Sequence, residues 1–161
     1  MRSSVFFLTL LLTVGLLSCQ TSRNGKEKPK DLSAMEIDKI FFRFRDSSVP
    51  PPYHRSYTID ITANSSTYQV TDYSDVLAES TVEVNYEDWE RLVQLAGGLQ
   101  KPGEYEAEGA SGTTGKTIQL FRGEEEVYRL YWDSLSDDKI KQNTLDFVSE
   151  LKRVSQYKPI R

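Results

Sequence analysis

Ile37-Asp38-Lys39-Ile40-Phe41-Phe42-Arg43-Phe44-Arg45 is the stretch on which the fold turns. Ile40, Phe42 and Phe44 fall on one side of an extended chain, and Lys39, Arg43 and Arg45 fall on the other. A period of two with aromatic enrichment predicts a β-strand that buries one face and leaves the other to solvent. The pattern stops at Asp46-Ser47-Ser48-Val49-Pro50-Pro51-Pro52, where consecutive prolines fix φ and remove ladder donors. Arg55 to Thr62 alternates again with Tyr57, Ile59 and Ile61 inward, Ala63 to Ser66 is turn chemistry, and Thr67 to Tyr73 buries Tyr68 and Val70. Three consecutive strands of this kind read as an antiparallel meander.

Beyond the meander, Ser74 to Ser80 reads as a connection, and Thr81 to Val84 as a short strand or an extended lead-in to a helix. Asn85 is a suitable N-cap, Glu87 and Asp88 place negative charge in the first turn, and Val84 with Trp89 forms a hydrophobic staple. Trp89, Leu92, Val93 and Ala96 make one helical stripe, which Gly97-Gly98 ends. Leu99 to Gly115 is a polar, glycine-rich loop of the kind that carries function. Thr117 to Arg122 and Val127 to Trp132 form a hairpin around Gly123-Glu124-Glu125-Glu126. A last helix is expected from Ser134 or Ser136, with Asp137 and Asp138 in its first turn and Ile140, Phe147, Val148, Leu151 and Val154 on its buried face.

This order predicts an α+β fold: a two-layer domain with a mostly antiparallel sheet of five or six strands and two amphipathic helices on one face. The expected domain runs over residues 33–157. Its layout resembles small bacterial lipoprotein domains of unknown function, in the strand meander, the helix opening on Tyr86-Glu87-Asp88-Trp89, the glycine-rich loop, the hairpin and the terminal helix. The resemblance implies a fold and a compartment, and it carries over no active-site residue.

The amino-terminal segment points to the same compartment. Arg2 precedes an apolar run from Val5 to Leu17, whose 13 residues are too few for a bilayer core that needs roughly 20. Residues 1–18 therefore read as a secretory signal peptide. Leu16-Leu17-Ser18-Cys19 resembles a bacterial lipobox, which implies cleavage before Cys19, its acylation with palmitate-type chains, and attachment to the membrane through them. Residues 19–32 are polar and charged, with Arg23, Lys26, Lys28 and Lys30, and read as a flexible tether. The expected location is the cell envelope, on the periplasm-facing side of the outer membrane.

Composition narrows the chemistry. Removing 18 of 161 residues leaves 143, and losing Arg2 from 20 basic side chains leaves 19 against 24 acidic, a formal charge of −5. Nucleic acid is not an expected partner, because phosphate backbones demand a concentrated basic surface. Cys19 is the single cysteine and His54 the single histidine, so disulfides, thiolate catalysis in the domain and multi-histidine metal sites are excluded. Ala110-Ser111-Gly112-Thr113-Thr114-Gly115-Lys116-Thr117 matches a loose phosphate-loop pattern, yet acidic residues precede it and a strand pattern follows it. Such a loop needs a buried strand before and a helix after, so no nucleotide is expected. Glu124-Glu125-Glu126 with Asp133, Asp137 and Asp138 lacks the loop glycine and ligand spacing of a calcium site. No metal, no cofactor and no catalytic residue is assigned.

The candidate binding residues are Tyr53, His54, Arg55 and Tyr105. The first three follow the triple proline, which lowers the entropy lost on docking, and their side chains suit an interface. Tyr57, Tyr68, Tyr128 and Trp132 read as core, whereas Tyr131 shares the opposite strand face with Arg129. The function expected from these features is a lipid-anchored, non-catalytic binding or assembly module in the envelope, its specific ligand unassigned and an envelope protein its candidate partner. The alternatives are a protein inhibitor of an envelope enzyme and a small hydrolase using dispersed carboxylates or His54.

Overall fold

The computed structural model describes residues 36–47, 49–50, 53–73, 75–101 and 112–159. Cys19, the tether and Tyr105 lie outside them, as does most of the glycine-rich loop. The elements are β1 (Lys39–Arg45), β2 (Ser56–Thr62), β3 (Ser65–Asp72), β4 (Asp75–Glu83), α1 (Tyr86–Ala96), β5 (Gly115–Arg122), β6 (Glu125–Asp133), a 3-10 helix (Ser134–Lys139) and α2 (Gln142–Val154). The fold is the expected two-layer α+β arrangement, with one six-stranded sheet ordered β4-β3-β2-β1-β5-β6. Every neighbouring pair in it is antiparallel.

The alternation in β1 explains its central place. Ile40 pairs across to Ile61 of β2 and Leu120 of β5, and Phe42 to Ile59 and Ile118, so six apolar side chains stand in two rows on one face. All six are at most 1% exposed. Tyr57, Val70, Tyr128, Leu130 and Trp132 extend this layer, and Trp89, Leu92 and Ala96 of α1 with Phe147, Val148, Leu151 and Val154 of α2 close over it. Full burial of such side chains contributes roughly 1.5–3 kcal/mol each before chain entropy is charged against it. The opposite sheet face carries Lys39, Arg43, Thr58, Asp60, Thr67, Gln69, Gln119 and Arg129 and stays open to water.

Helix α1 starts as its sequence requires. The Asn85 side chain accepts from the Asp88 amide at 2.8 Å, and Val84 and Trp89, on either side of that cap, are both buried in the core. Val84 also donates its amide to the Asn64 carbonyl at 3.1 Å, which fastens the end of β4 to the β2–β3 turn. From that edge α1 carries the chain across the sheet, so that β5 pairs with β1 rather than with β4.

Four local expectations are corrected. The segment 74–80 is not a connection: from Asp75 it is part of a nine-residue edge strand, β4, paired along β3. The third strand begins at Ser65, because the Thr62 hydroxyl accepts from the amides of Asn64 and Ser65 and tightens the turn to two residues. It ends at Asp72, since Tyr73 takes φ +49 in the following turn. Gly115 and Lys116 belong to β5 rather than to the loop, and a Cβ on Gly115 would lie 3.1 Å from the Tyr131 ring. The last helix is two segments: Ile140 is extended at φ −81, ψ 128, which separates the 3-10 helix from α2.

The break is held by polar contacts that span the chain. Asp133 caps the 3-10 helix at the Leu135 amide, 3.1 Å away, and accepts from the Ser136 hydroxyl at 2.9 Å. Asp137 accepts from Trp132 Nε1 at 2.9 Å and from Lys116 Nζ at 2.6 Å. Buried Gln100 accepts from the Lys141 amide at 3.1 Å through Oε1, and its own carbonyl accepts from the Tyr128 hydroxyl at 2.7 Å. Gln100 thus does for the start of α2 what a local cap residue would do.

Candidate functional site

At the end of the sheet where β1 stops, the chain leaves Arg45 and returns at Ser56 to begin β2. The Asp46 amide donates to Ser56 Oγ at 3.0 Å, which ties the two ends of this loop together. Within it the Tyr53 amide donates to the Pro50 carbonyl at 3.0 Å, a turn that brings His54 back toward the sheet. The His54 ring stacks on Tyr73 of the β3–β4 turn, centroids 4.7 Å apart and planes 12° from parallel.

Between loop and sheet lies a cavity of about 590 Å³. Arg43 and Arg45 of β1, Ser56 and Thr58 of β2 and Thr71 of β3 form its floor, and Ser47, Val49, His54 and Tyr73 form its walls. Its size falls within the range of small-molecule sites. Among the described residues no carboxylate lines it, in a chain with 24 acidic side chains and a net charge of −4. Arg43 and Arg45 are exposed, and among the described residues neither makes an ion pair; Arg43 rests near the Phe41 ring at 5.4 Å. Ser56 Oγ accepts from Asp46 and keeps its own proton free to donate.

The electrostatics behind the floor are already neutralised. Asp72 pairs with Arg55 at 3.9 Å, and Arg55 also donates to the His54 carbonyl at 2.7 Å. Nδ1 of His54 is covered and has no hydrogen-bond partner among the described residues.

The candidate residues of the proline loop therefore separate. His54 lines the cavity, Arg55 supports it from behind through Asp72, and Tyr53 points away at 70% exposure. The sequence analysis missed Arg43, Arg45, Thr58, Thr71 and Tyr73 as site residues. Arg43 and Arg45 were visible as charges on the open face of a strand ending at the loop, but nothing local brings three strands and a turn together.

A second concave region is occupied by an ion-pair network that joins the two helices. Glu87, Asp88, Glu90, Arg91, Gln94 and Arg153 line a shallow groove between the helices. There Glu150 accepts from Arg153 Nε at 3.0 Å and pairs with Arg91 at 2.8 Å, while Arg153 also reaches Asp88. The Arg153 hydrogen bond, opposed by burial, holds the Glu150 carboxyl below the usual glutamate range.

Four of the acids considered for calcium are bound by protein donors: Glu125 by Arg122, Glu126 by Arg129 and Gln119, Asp133 by the Ser136 hydroxyl and the Leu135 amide, and Asp137 by Lys116 and Trp132. Lys116, the lysine of the phosphate-loop pattern, is part of a strand with its ammonium on Asp137. Among the described residues no helix is long and apolar enough to cross a membrane. No protein-family model, curated protein or solved structure matches this chain.

Proposed function

We propose that this chain is a lipid-anchored binding module of a bacterial envelope, tethered through Cys19 and presenting the cleft at the β1–β2 end to an envelope partner. The observation that carries the reading is the cavity of about 590 Å³ floored by three strands and walled by the His54–Tyr73 stack. Its lining of guanidinium, imidazole, hydroxyl and aromatic groups offers donors and stacking surfaces, the equipment of recognition. The anchor is inferred from the Leu16-Leu17-Ser18-Cys19 pattern, and the tether from the polar segment after it.

The test is crosslinking of the intact protein in its native envelope, read by mass spectrometry. A reproducible partner is expected, and His54→Ala and Tyr73→Ala should each reduce its capture while leaving the thermal transition in place. Cys19→Ala should release the protein from the membrane fraction. Capture that is indifferent to both cleft substitutions would remove the cleft from the mechanism.

A further inference from the structure

We infer that the cleft recognises a phosphoryl group, a doubly charged tetrahedral oxyanion held between Arg43 and Arg45. The inference rests on the binding role proposed above and gives it a ligand chemistry. Arg43 and Arg45 stand two residues apart on the same face of β1, so their Cα atoms are separated by about 6.8 Å, and both side chains line the cleft, with the Arg43 guanidinium near the Phe41 ring. Guanidinium is a planar fork that donates two parallel hydrogen bonds to an oxyanion, and it stays charged at any physiological pH.

A single carboxylate has one charge and two oxygens, which one fork satisfies. A phosphate monoester carries up to two charges on three terminal oxygens, and it can engage both forks at once. The remaining lining matches what is left over. Ser56, Thr58 and Thr71 supply hydroxyls across the floor, and Ser56 has a proton to give because its lone pair already accepts from Asp46. His54 adds an imidazole to the wall, and Tyr73 adds an aromatic face for whatever the phosphoryl group is attached to.

Charge placement favours the same ligand. The nearby acids Asp46 and Asp72 are not among the residues that line the cleft, and Asp72 pairs with Arg55. Two guanidinium groups free of ion pairs on an otherwise acidic chain are costly to keep adjacent unless an anion relieves their repulsion. The phosphoryl group has two sources in an envelope, a lipid ending in a phosphate monoester, as phosphatidic acid does, or a soluble or polymer-borne phosphate monoester, and both present the same three terminal oxygens.

The test uses the full chain purified in detergent, with inorganic phosphate and glycerol 3-phosphate as soluble probes in calorimetric titrations. Vesicles of phosphatidylcholine alone and with added phosphatidic acid serve as the lipid probes. Saturable binding of a soluble probe is expected, weakened at least about tenfold in Arg43→Ala/Arg45→Ala, with a shallower salt dependence in the variant. Both arginines are exposed and without ion pairs, so the double variant should keep its thermal transition.

Soluble probes bound and vesicles ignored would assign a phosphate ester. Preference for phosphatidic acid vesicles that the double variant lacks would assign a headgroup. No binding of any probe, or binding equal in both proteins, overturns the oxyanion assignment. If the crosslinked partner is then still lost in His54→Ala, the binding role stands and only the ligand chemistry falls; if it is not lost, both fall.

Discussion

Asp60 shows how one side chain on the open face of the sheet can cost the protein stability. It sits on β2 opposite Phe41 and Thr67, and partial burial raises its carboxyl above the usual aspartate range despite the nearby Lys39 ammonium, which acts the other way. A raised carboxyl binds its proton more tightly in the folded state. Its contribution is therefore fully present below the unfolded value of about 3.9 and is lost as pH rises through the folded pKa. At pH 7 the ionised group is a burden that Asn would not impose. Asp60→Asn is expected to raise the melting temperature by a few degrees at pH 7 and to leave it unchanged near pH 3, measured by calorimetry at both. An equal or lower melting temperature at pH 7 would mean that attraction to Lys39 outweighs burial. The sequence shows that Asp60 alternates outward between Ile59 and Ile61. It does not show that Phe41 and Thr67 partly cover it, because that depends on the register of two other strands. The same holds for the cleft: His54 was marked by its loop, but its neighbours Thr71 and Tyr73 are supplied by pairing and by a turn at φ +49.

At the scale of elements, the two helices are joined by charge as well as by packing. Glu150 of α2 is 8% exposed and lies between Arg153 and Arg91 of α1. Its lowered pKa gives stability that is present above the unfolded glutamate value of about 4.3 and disappears as pH falls through the folded pKa. Glu150→Gln should therefore destabilise the protein at pH 7 by roughly 1.5–3 kcal/mol, the range for a hydrogen bond to a charged group, and the difference should close in strong acid. Urea denaturation at a series of pH values from 7 downward measures both; a gap that does not narrow as pH falls would point to lost packing instead. Helix α1 was legible to its cap because Asn85, Glu87, Asp88 and the Trp89 stripe are all local signals. The interruption before α2 was not. Ile140 is buried whether the chain there is helical or extended, and the partner that receives the Lys141 amide, Gln100, is 41 residues away.

For the whole molecule, a sheet covered on one face and ending in strands of unequal burial should not open uniformly. β1 lies between two partners under the helices, whereas β4 is an edge strand in which Val76 and Leu77 are 54% and 43% exposed. Amide exchange is expected to be fastest in β4 among the strands and slowest in β1 and β2, read by hydrogen–deuterium exchange with mass spectrometry. Protection of β4 equal to that of β1 would show that the sheet opens only as a unit. The same inequality explains why β4 escaped the sequence: an edge strand that buries so little has no apolar alternation to display, while β1, β2, β5 and β6 announce themselves through the core they fill. The central position of β1 also gives the molecule a mechanical axis. β1 enters at Lys39 and the cleft arginines stand toward Arg45, so in a chain anchored and liganded as proposed, tension between membrane and ligand would be carried into this strand. Its hydrogen bonds to β2 and β5 lie across that direction. A pull must shear both ladders together instead of unzipping them one rung at a time, which makes β1 the tie-rod of the domain.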